Sequence, residues 1–404
     1  MPKRGLYPEY VVSDLMAGVV VFLVALPLCL GVPLAARAPL FSGIVAGIVG
    51  GIVVGGLSGS RTSVSGGSPA LIAIVSAQTT ALGGFDAFLT AVLLAGVIQL
   101  ALGFFKAGFI SSFFPTSVIK GLLAAIGVII ILKQLPHLIG YDIDPIGEMS
   151  FNQPDRETTF SDLPKSIQYF LPGAATIGIG SLLVVIAWDQ IKWLRRTGIP
   201  GPLIAVVGGT AVNILLKRVG SPWAVGPTHL VSVPLPNGPD GLMGLITFPD
   251  FSSLADSRVY VSAITIGIIA SLESLLAIEA VDKIDPRQQR TPRNRELLAQ
   301  GAGNVICGLF GGLPVSAAVI RGTANVNAGA RTRFATVAHG LLLLTCVLLL
   351  PAWLNEIPLS TLAAILIKTG YRLTNPKRYY QLWQEGYSQF IPFVATVLAI
   401  VLTD

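Results

Sequence analysis

The segments SVSGGSPALIAIV (residues 63–75) and GGLPVSAAVIRGTAN (residues 311–325) decide how this chain folds. Each opens a hydrophobic stretch with Gly, Pro and Ser, where an ordinary membrane span is rich in Leu. Small residues also line the interfaces of packed membrane helices, so either segment alone fits tight helix packing. As a pair, they instead indicate two helices that begin inside a membrane, where irregular backbone must be buried in protein or line a cavity.

Around these segments, the composition is that of an all-α polytopic membrane protein. Mean hydropathy over the 404 residues is +0.73, and only 12% of them are charged, about half the density usual in soluble domains. A helix needs roughly 20 apolar residues to cross the hydrocarbon core. Thirteen stretches qualify: 14–36, 40–57, 66–82, 84–104, 115–136, 169–189, 200–218, 259–280, 295–311, 314–328, 334–351, 358–371 and 389–403.

The basic residues indicate how these spans are oriented. With the N-terminus inside, 17 of the 27 Lys and Arg fall in cytoplasmic segments and six in outer ones, as the positive-inside rule expects. We therefore expect a multi-pass protein of the plasma (inner) membrane with a cytoplasmic N-terminus and long outer loops at 141–165 and 220–258. The net charge of +6 then follows from topology, and no nucleic acid partner is expected.

The two unusual segments occupy equivalent positions in two halves of the chain. One opens the third of the first seven spans, and the other opens the third span of the second set. Because seven is odd, a duplicated seven-span unit inserts its second copy upside down, which predicts a seven-plus-seven inverted repeat. We expect repeats at 1–218 and 259–404, an outer linker at 219–258, and a missing seventh span after Asp404.

The half-helices at spans three and ten create a predicted anion site. A helix that begins inside the membrane presents N–H groups without intrahelical partners, and its macrodipole places about half a positive charge there. Small side chains let an anion approach this backbone. The predicted contacts, with hydroxyl donors from both serines, are Gly67, Ser68, Pro69 and Ala70, together with Val315, Ser316, Ala317 and Ala318.

Among the charged residues within predicted spans, Arg321 and Glu273 are the two that bear on function. A guanidinium there costs about 2.5–3.5 kcal/mol on insertion scales, so Arg321 either faces the cavity and supplies positive potential or lies near enough to the cytoplasmic edge to snorkel. Glu273 lies near the middle of the eighth span. Beside an anion, its carboxylate must be neutralised by a proton, by a cation such as Na⁺, or by Arg321, so it is either a coupling group or a structural partner.

The other reactive side chains indicate packing. Three cysteines lie in apolar sequence without disulfide or zinc spacing: Cys29, Cys307 and Cys346. Three lysines near span ends are expected to snorkel or to be structural: Lys120, Lys133 and Lys368. His137 and His229 fall in or beside outer loops, and His339 is expected to be a satisfied packing residue. No nucleophile, metal or nucleotide motif supports an enzyme, and no cofactor is expected beyond a co-transported H⁺ or Na⁺.

Five stretches together resemble the sulfate permease (SulP) family, which includes the solute carrier family 26 anion transporters. They are DLMAGVVVFLVALPLCLGV (14–32), GSRTSVSGGSPALI (59–72), ITIGIIASLESLL (264–276), NRELLAQGAGNVICGLFGGLPVSAAVIRGTANVNAGARTR (294–333) and IPLSTLAAILI (357–367). The most specific part runs from Glu296 to Thr332. The resemblance implies fourteen helices in core and gate domains, an elevator-like motion, homodimers and, after Asp404, a regulatory or enzymatic domain that is missing here.

By position, the family's substrate site would fall on the first span, both half-helices and the eighth span. Besides the half-helix residues, the resemblance implies the first-span range Pro27 to Val32, in which Leu28 and Val32 are the expected contacts. It also implies Glu273, Ser274 and Arg321. The segment PLCLGV (27–32) is apolar where many relatives carry Gln or an aromatic residue, and Ala318 and Ile320 lack hydroxyls that many relatives have. Anion binding should therefore rely more on backbone N–H groups.

A further departure concerns the coupling ion. Sodium-dependent relatives have Asp followed four residues later by Thr, where this chain has Glu273 and Ala277. Sodium loses one ligand, so proton coupling is preferred.

We therefore expect an elevator-type secondary active transporter of a small inorganic anion, bicarbonate or sulfate, driven by H⁺ or Na⁺ through Glu273. The alternative is an anion channel or exchanger on the same fold; a channel needs no coupling carboxylate, which weighs against it. A nucleobase permease is disfavoured, because the tenth span offers Arg321 and few neutral side chains to read a base.

Overall fold

The computed structural model describes residues 8–109, 116–143, 159–191, 193–194, 199–233, 241–287, 289–374, 379–380, 383–384 and 386–403. The predicted cytoplasmic N-terminus (1–7), much of the predicted outer loop at 141–165, residues 234–240 of the linker, and Asp404 lie outside these ranges.

Helices make up most of the described chain. They are α1 (Pro8–Ala35), α2 (Leu40–Val49), α3 (Ile72–Leu82), α4 (Phe85–Phe104), α5 (Thr116–Leu138), α6 (Thr159–Gln168), α7 (Pro172–Gln190), α8 (Gly201–Arg218), α9 (Ser257–Ile284), α10 (Arg293–Leu309), α11 (Val319–Asn327), α12 (Phe334–Leu349), α13 (Leu359–Thr374) and α14 (Tyr387–Thr403). A π-helical turn (Gly50–Val54) and a short helix (Gly55–Leu57) continue α2, and Pro351–Leu354 forms a single turn. A helix therefore occurs at each of the thirteen positions where hydropathy predicts a span.

Six helices of the described residues are long and apolar enough, by length and composition, to cross a membrane. They are Tyr10–Ala35, Leu40–Leu57, Phe85–Phe104, Lys120–Leu138, Pro172–Gln190 and Ser257–Ile284. Shorter apolar helices run over Pro69–Leu82, Phe334–Leu349 and Tyr387–Val401. The chain is thus a multi-pass membrane protein by its helices as well as by its composition.

The structure differs from the all-α expectation at spans three and ten. Each begins with a strand of three residues, β1 (Ser65–Gly67) and β2 (Val315–Ala317), and the two strands pair antiparallel. The first helix then starts through a 3-10 turn at Pro69–Leu71, and the second starts at Val319. The predicted loops also contain structure: α6 lies partly within 141–165, and 3-10 turns occur at Pro227–His229, Gly241–Leu245 and Phe251–Ala255.

The chain divides into two compact units, and each takes parts from both predicted repeats. The first comprises Met1–Ser111 and Val233–Pro351, and the second comprises Ser112–Ser232 and Ala352–Asp404. The division follows packing and not duplication, so the repeat boundaries at 218 and 259 stay predictions. Both strands, and all residues of the predicted anion site, belong to the first unit.

Within the first unit, α10 packs directly on the backbone of α4. A Cβ added at Gly96 would lie 2.8 Å from the carbonyl oxygen of Gly301, and one added at Gly301 would lie 2.8 Å from that of Gly96. Only glycine at both positions permits this approach, which is the usual way that membrane helices come close. Helix α10, which leads into β2, is therefore held against the long helix α4.

Candidate functional site

The paired strands bring two helix N-termini to one place. Ser65 lies opposite Ala317, Gly66 opposite Ser316, and Gly67 opposite Val315. We call β1 with the turn and α3 the first broken segment (65–82), and β2 with α11 the second broken segment (315–327). Since each helix begins within a few residues of its strand, the positive ends of two macrodipoles meet beside the strand pair.

Glu273, on α9, joins the two broken segments. Its Oε1 accepts a hydrogen bond from the Ser68 hydroxyl, and its Oε2 accepts one from the Ser316 hydroxyl at 2.8 Å. Ser68 and Ser316 are buried, whereas Glu273 is half-buried. The carboxyl group therefore holds one hydroxyl from each broken segment, and it does so at the edge of the buried region.

Arg321 lies in the first turn of α11 and is fully buried. Its Nη2 donates to the carbonyl oxygen of Gly67 at 3.2 Å and lies 3.8 Å from the Cys29 sulfur. Nε and Nη1 have no hydrogen-bond partner among the described residues. The side chain thus points into the first unit, so snorkelling to the cytoplasmic edge, the alternative reading from sequence, is not the arrangement found.

Gly66 makes room for this guanidinium. A Cβ added at Gly66 would overlap Nη1 of Arg321, whereas one at Gly67 would meet nothing closer than 3.6 Å, the distance to Leu313 Cδ1. The side chain of one broken segment therefore packs directly against the backbone of the other.

Several of the predicted backbone donors already have protein partners. The N–H of Val315 donates to Asn304 Oδ1 at 2.6 Å, that of Ala317 to Ser274 Oγ at 3.1 Å, and that of Ala318 to the Val64 carbonyl at 3.0 Å. In the first broken segment, the Ala70 N–H donates to Ser68 Oγ at 3.3 Å, and Pro69 has no N–H. By the general rule for helix ends, the donors left for a ligand lie in the first turn of α11, from Val319 to Arg321.

The predicted first-span residues are buried, and one of their neighbours contacts Arg321. Leu28 and Val32 are buried on α1, and Cys29 between them touches Arg321. Ala70, by contrast, is exposed and Pro69 is half-buried. The region is therefore open on the side of Pro69, Ala70 and Glu273.

Reasoning from sequence did not single out three contributors to this site. They are Gly66, Cys29 as a neighbour of Arg321, and Asn304 on α10. Asn304 carried a signal, because it lies four residues after Gln300 and eight after Glu296 within a predicted span, where polar groups are costly unless paired.

Two further residues named from sequence, His339 and Lys368, lie in different units. His339 is fully buried on α12, and neither ring nitrogen has a hydrogen-bond partner among the described residues, so it is not the satisfied packing residue expected. In the second unit, Lys368 Nζ lies 3.3 Å from Asp189.

His137 and His229 meet at one carboxylate, also in the second unit. The Nδ1 atom of each lies 2.7 Å from a different oxygen of Asp142. Burial alone would raise the pKa of Asp142, but the hydrogen bonds from the two histidines outweigh it and lower that pKa. The hydrogen bond to Asp142 raises the pKa of His229 against the opposing effect of burial.

The chain as a whole is similar to proteins of one described family. The family model described as "Sulfate permease family" matches residues 11–396. Bicarbonate transporter BicA of Picosynechococcus sp. is 26% identical over 411 residues, which cover 97% of this chain and 67% of that protein. Solute carrier family 26 member 6 of Homo sapiens is 25% identical over 319 residues, covering 76% of this chain and 39% of that protein.

The fold is also similar to that of a solved structure. The transmembrane domain of a cyanobacterium bicarbonate transporter BicA matches with a TM-score of 0.66 at 23% identity, covering 98% of this chain and 97% of that one. At this identity, the likeness establishes the fold.

Proposed function

Because this chain belongs to the sulfate permease family, we propose that it is a secondary transporter that carries a small inorganic anion, bicarbonate or sulfate, across the membrane. Relatives that it matches over most of its length are named as bicarbonate transporters. The observation that carries the proposal is the bridge from Glu273 to Ser68 and Ser316, which puts a proton-binding group in contact with both broken segments.

The anion binds between the two helix N-termini, beside Ala70 and the first turn of α11. The macrodipoles and the buried guanidinium of Arg321 supply positive potential, and the first-turn N–H groups supply donors. Arg321 contributes its fixed charge, and its Nη2 donates to the Gly67 carbonyl. Sulfate and bicarbonate both present oxygens that accept such bonds.

Coupling follows from competition for the two serine hydroxyls. While Glu273 is ionised, its two oxygens accept both hydroxyls, and its negative charge repels the anion. A proton added to the carboxyl group removes that charge and leaves at least one serine hydroxyl available to donate to the anion instead. Anion and proton therefore bind together, and Glu273 is the coupling group.

A proton suits this site better than Na⁺. Sodium needs several oxygen ligands, and Ala277, one turn beyond Glu273 on α9, offers none. The two serine hydroxyls donate to the carboxyl group of Glu273. We retain the seven-plus-seven repeat, the core and gate domains, the elevator motion, the homodimer and the cytoplasmic N-terminus as parts of this proposal; the interleaved composition of the two units supports the core and gate division.

The test is uptake of radiolabelled bicarbonate and sulfate into proteoliposomes, with pH and Na⁺ gradients imposed separately. We expect uptake driven by the pH gradient, and we expect Glu273→Gln to abolish that dependence, because the amide cannot take up a proton. Glu279→Gln is the matched control: it lies on the same helix, half-buried, with Arg293 at 3.2 Å, and is expected to keep gradient-driven uptake.

The remaining outcomes separate the alternatives. Uptake driven by the Na⁺ gradient would replace the proton with sodium. Uptake indifferent to both gradients, or single-channel currents in planar bilayers, would establish an exchanger or a channel. Competition by uracil but not by either anion would favour a nucleobase permease.

A further inference from the structure

Three polar side chains form a row along one face of α10. Glu296, Gln300 and Asn304 are spaced by four residues, which places them one above the other on a helix, and none is exposed to solvent. We call this row the polar ladder. Polar groups buried within a membrane protein are costly unless paired, so their partners indicate what the ladder does.

Asn304 binds the second broken segment at two points. Its Oδ1 accepts from the Val315 N–H at 2.6 Å, and its Nδ2 donates to the Val315 carbonyl at 2.9 Å. The amide thus pairs with Val315 as a neighbouring strand would. Nδ2 also donates to Gln99 Oε1 at 2.6 Å, and Gln99 Nε2 donates to Ser271 Oγ at 3.2 Å, which ties this end of the ladder to α4 and α9.

Gln300 binds the first broken segment. Its Nε2 donates to the Ser65 hydroxyl at 2.7 Å and to Glu296 Oε1 at 2.8 Å. Glu296 Oε2 in turn accepts from the Ser58 hydroxyl. One helix face therefore holds β1 through Ser65 and β2 through Val315.

The two points of attachment are at opposite ends of the strand pair. Ser65 pairs with Ala317, and Val315 pairs with Gly67. A helix that grips both ends of an antiparallel pair fixes the tilt of the pair and not only its position. Each helix begins within a few residues of its strand, so the ladder also sets where the helix N-termini point.

From these contacts we infer that the polar ladder positions the two broken segments for anion binding, with Asn304 as its principal positioning residue. The inference rests on the proposed transport of an anion. No ladder residue needs to touch the anion; each acts through the strand pair. Loss of positioning raises the anion concentration needed for half-maximal uptake (KM) more than it lowers the maximal rate.

The sharpest test compares two buried asparagines that receive the same substitution. Asn304→Asp keeps an acceptor for the Val315 N–H but loses the donor to the Val315 carbonyl. Asn213, on α8 in the second unit, accepts from the Val225 N–H at 2.8 Å, and its Nδ2 has no hydrogen-bond partner among the described residues. Asn213→Asp therefore adds the same carboxyl group to a fully buried position and loses no bond.

Amide hydrogen exchange in lipid nanodiscs measures the positioning itself, without any anion. For Asn304→Asp, we expect exchange in the peptide covering residues 313–318 to be about tenfold faster, because exchange follows local opening. Exchange of that peptide should be unchanged in Asn213→Asp. Equal effects of the two variants, or no change in Asn304→Asp, would overturn the inference.

Uptake supplies the second readout. We expect Asn304→Asp to raise KM by about tenfold with less than about a twofold change in maximal rate, and Asn213→Asp to leave both unchanged. If the wild-type protein carries no anion while the exchange results hold, the proposed function fails and the ladder remains as a structural brace. If the wild-type protein transports and Asn304→Asp keeps its KM, the inference about positioning fails alone.

A milder variant covers the case in which Asn304→Asp does not fold. Ser65→Ala removes only the oxygen to which Gln300 donates and leaves both strands intact. We expect faster exchange confined to the peptide over residues 62–68, with a KM rise of a few fold. An unchanged KM in this variant, with wild-type uptake present, also counts against the inference.

Discussion

The two broken segments follow the same path and contribute different things. Each runs from a three-residue strand into a helix, yet the fourth residue after the strand is Leu71 in the first and Arg321 in the second. The second segment supplies a buried charge, and the first supplies the space for it at Gly66. A shared backbone plan can thus carry an asymmetric site, in which neither segment is complete without the other.

The largest expected effect comes from filling the space at Gly66 that the Arg321 guanidinium occupies. Gly66→Ala would place a methyl group where Arg321 Nη1 lies, so the guanidinium has to move and its bond to the Gly67 carbonyl is lost. We expect anion uptake to fall by more than about tenfold, because the fixed charge is then displaced from its place beside β1. Proteoliposome uptake and thermal unfolding in detergent measure the result.

Two other glycines calibrate this result. Gly67→Ala should lower uptake less than Gly66→Ala does, since the nearest atom to its new Cβ would be at 3.6 Å. Gly56→Ala, whose Cβ would have nothing within 4 Å, should show wild-type uptake. If Gly66→Ala behaves like Gly56→Ala, the first segment does not make room for the second, and the site does not depend on both segments.

A moderate effect is expected from the serines that meet at Glu273. Ser68→Ala and Ser316→Ala each remove one hydrogen bond to the carboxyl group, so uptake should fall by similar factors. Ser68 also accepts from the Ala70 N–H as the cap of its turn, which Ser316 does not do. We therefore expect the free energy of unfolding of Ser68→Ala to be about 1 kcal/mol lower than that of Ser316→Ala, the usual value of such a cap.

Chemical denaturation of both variants in the same detergent distinguishes them. Equal stabilities would show that the turn at Pro69–Leu71 does not depend on its cap. If only one of the two substitutions lowers uptake, the carboxyl group and the anion do not compete for both hydroxyls.

The smallest effect, and a control for pH, concerns Asp142 in the second unit. His229 has a raised pKa in the folded protein, so its contribution to stability is complete below its unfolded pKa and is lost as pH rises through the folded value. Asp142 has a lowered pKa, so its contribution is lost only when pH falls through that lower value. The contact is therefore strongest in mildly acidic solution and weakens toward alkaline pH.

Hydrogen exchange of residues 225–233, corrected for its intrinsic pH dependence, measures this contact. Exchange should quicken as pH rises through the titration of His229, and Asp142→Asn should remove that change. Because Asp142 lies outside the unit that contains Glu273, Asp142→Asn should leave proton-driven uptake intact. Loss of the pH response of uptake in this variant would mean that the response does not belong to the broken segments alone.

Hydropathy located the helices because bilayer thickness sets the length of an apolar span, and that signal is local. It did not find α6, whose ten residues include Pro164, Lys165 and an acidic residue. The Gly and Pro content of residues 63–75 and 311–325 identified the broken segments. It could not identify the strands, since three residues are too short to show alternation and the partner strand is far away in sequence.

The site was predicted as separate residues and not as an arrangement. Ser68, Ser316 and Glu273 were each chosen for their chemistry, but their meeting at one carboxyl group depends on strand register. Backbone donors at Val315, Ala317 and Ala318 were expected to face a ligand, whereas they are bound to Asn304 on α10, Ser274 on α9 and Val64 just before β1. Such pairing is a property of packing, which one sequence does not display.

The strand pair also means that β1 is synthesised long before its partner strand. Gly67 and Arg321 lie 254 residues apart, so at about 5–20 residues per second the ribosome needs roughly 13–50 s to make the second partner after the first. During that interval, the backbone of residues 65–67 has neither its strand partner nor the ladder on α10. Unpaired peptide groups are not tolerated in lipid, so the first broken segment has to wait in a hydrated or protein-lined environment, and the membrane insertion machinery has to provide it.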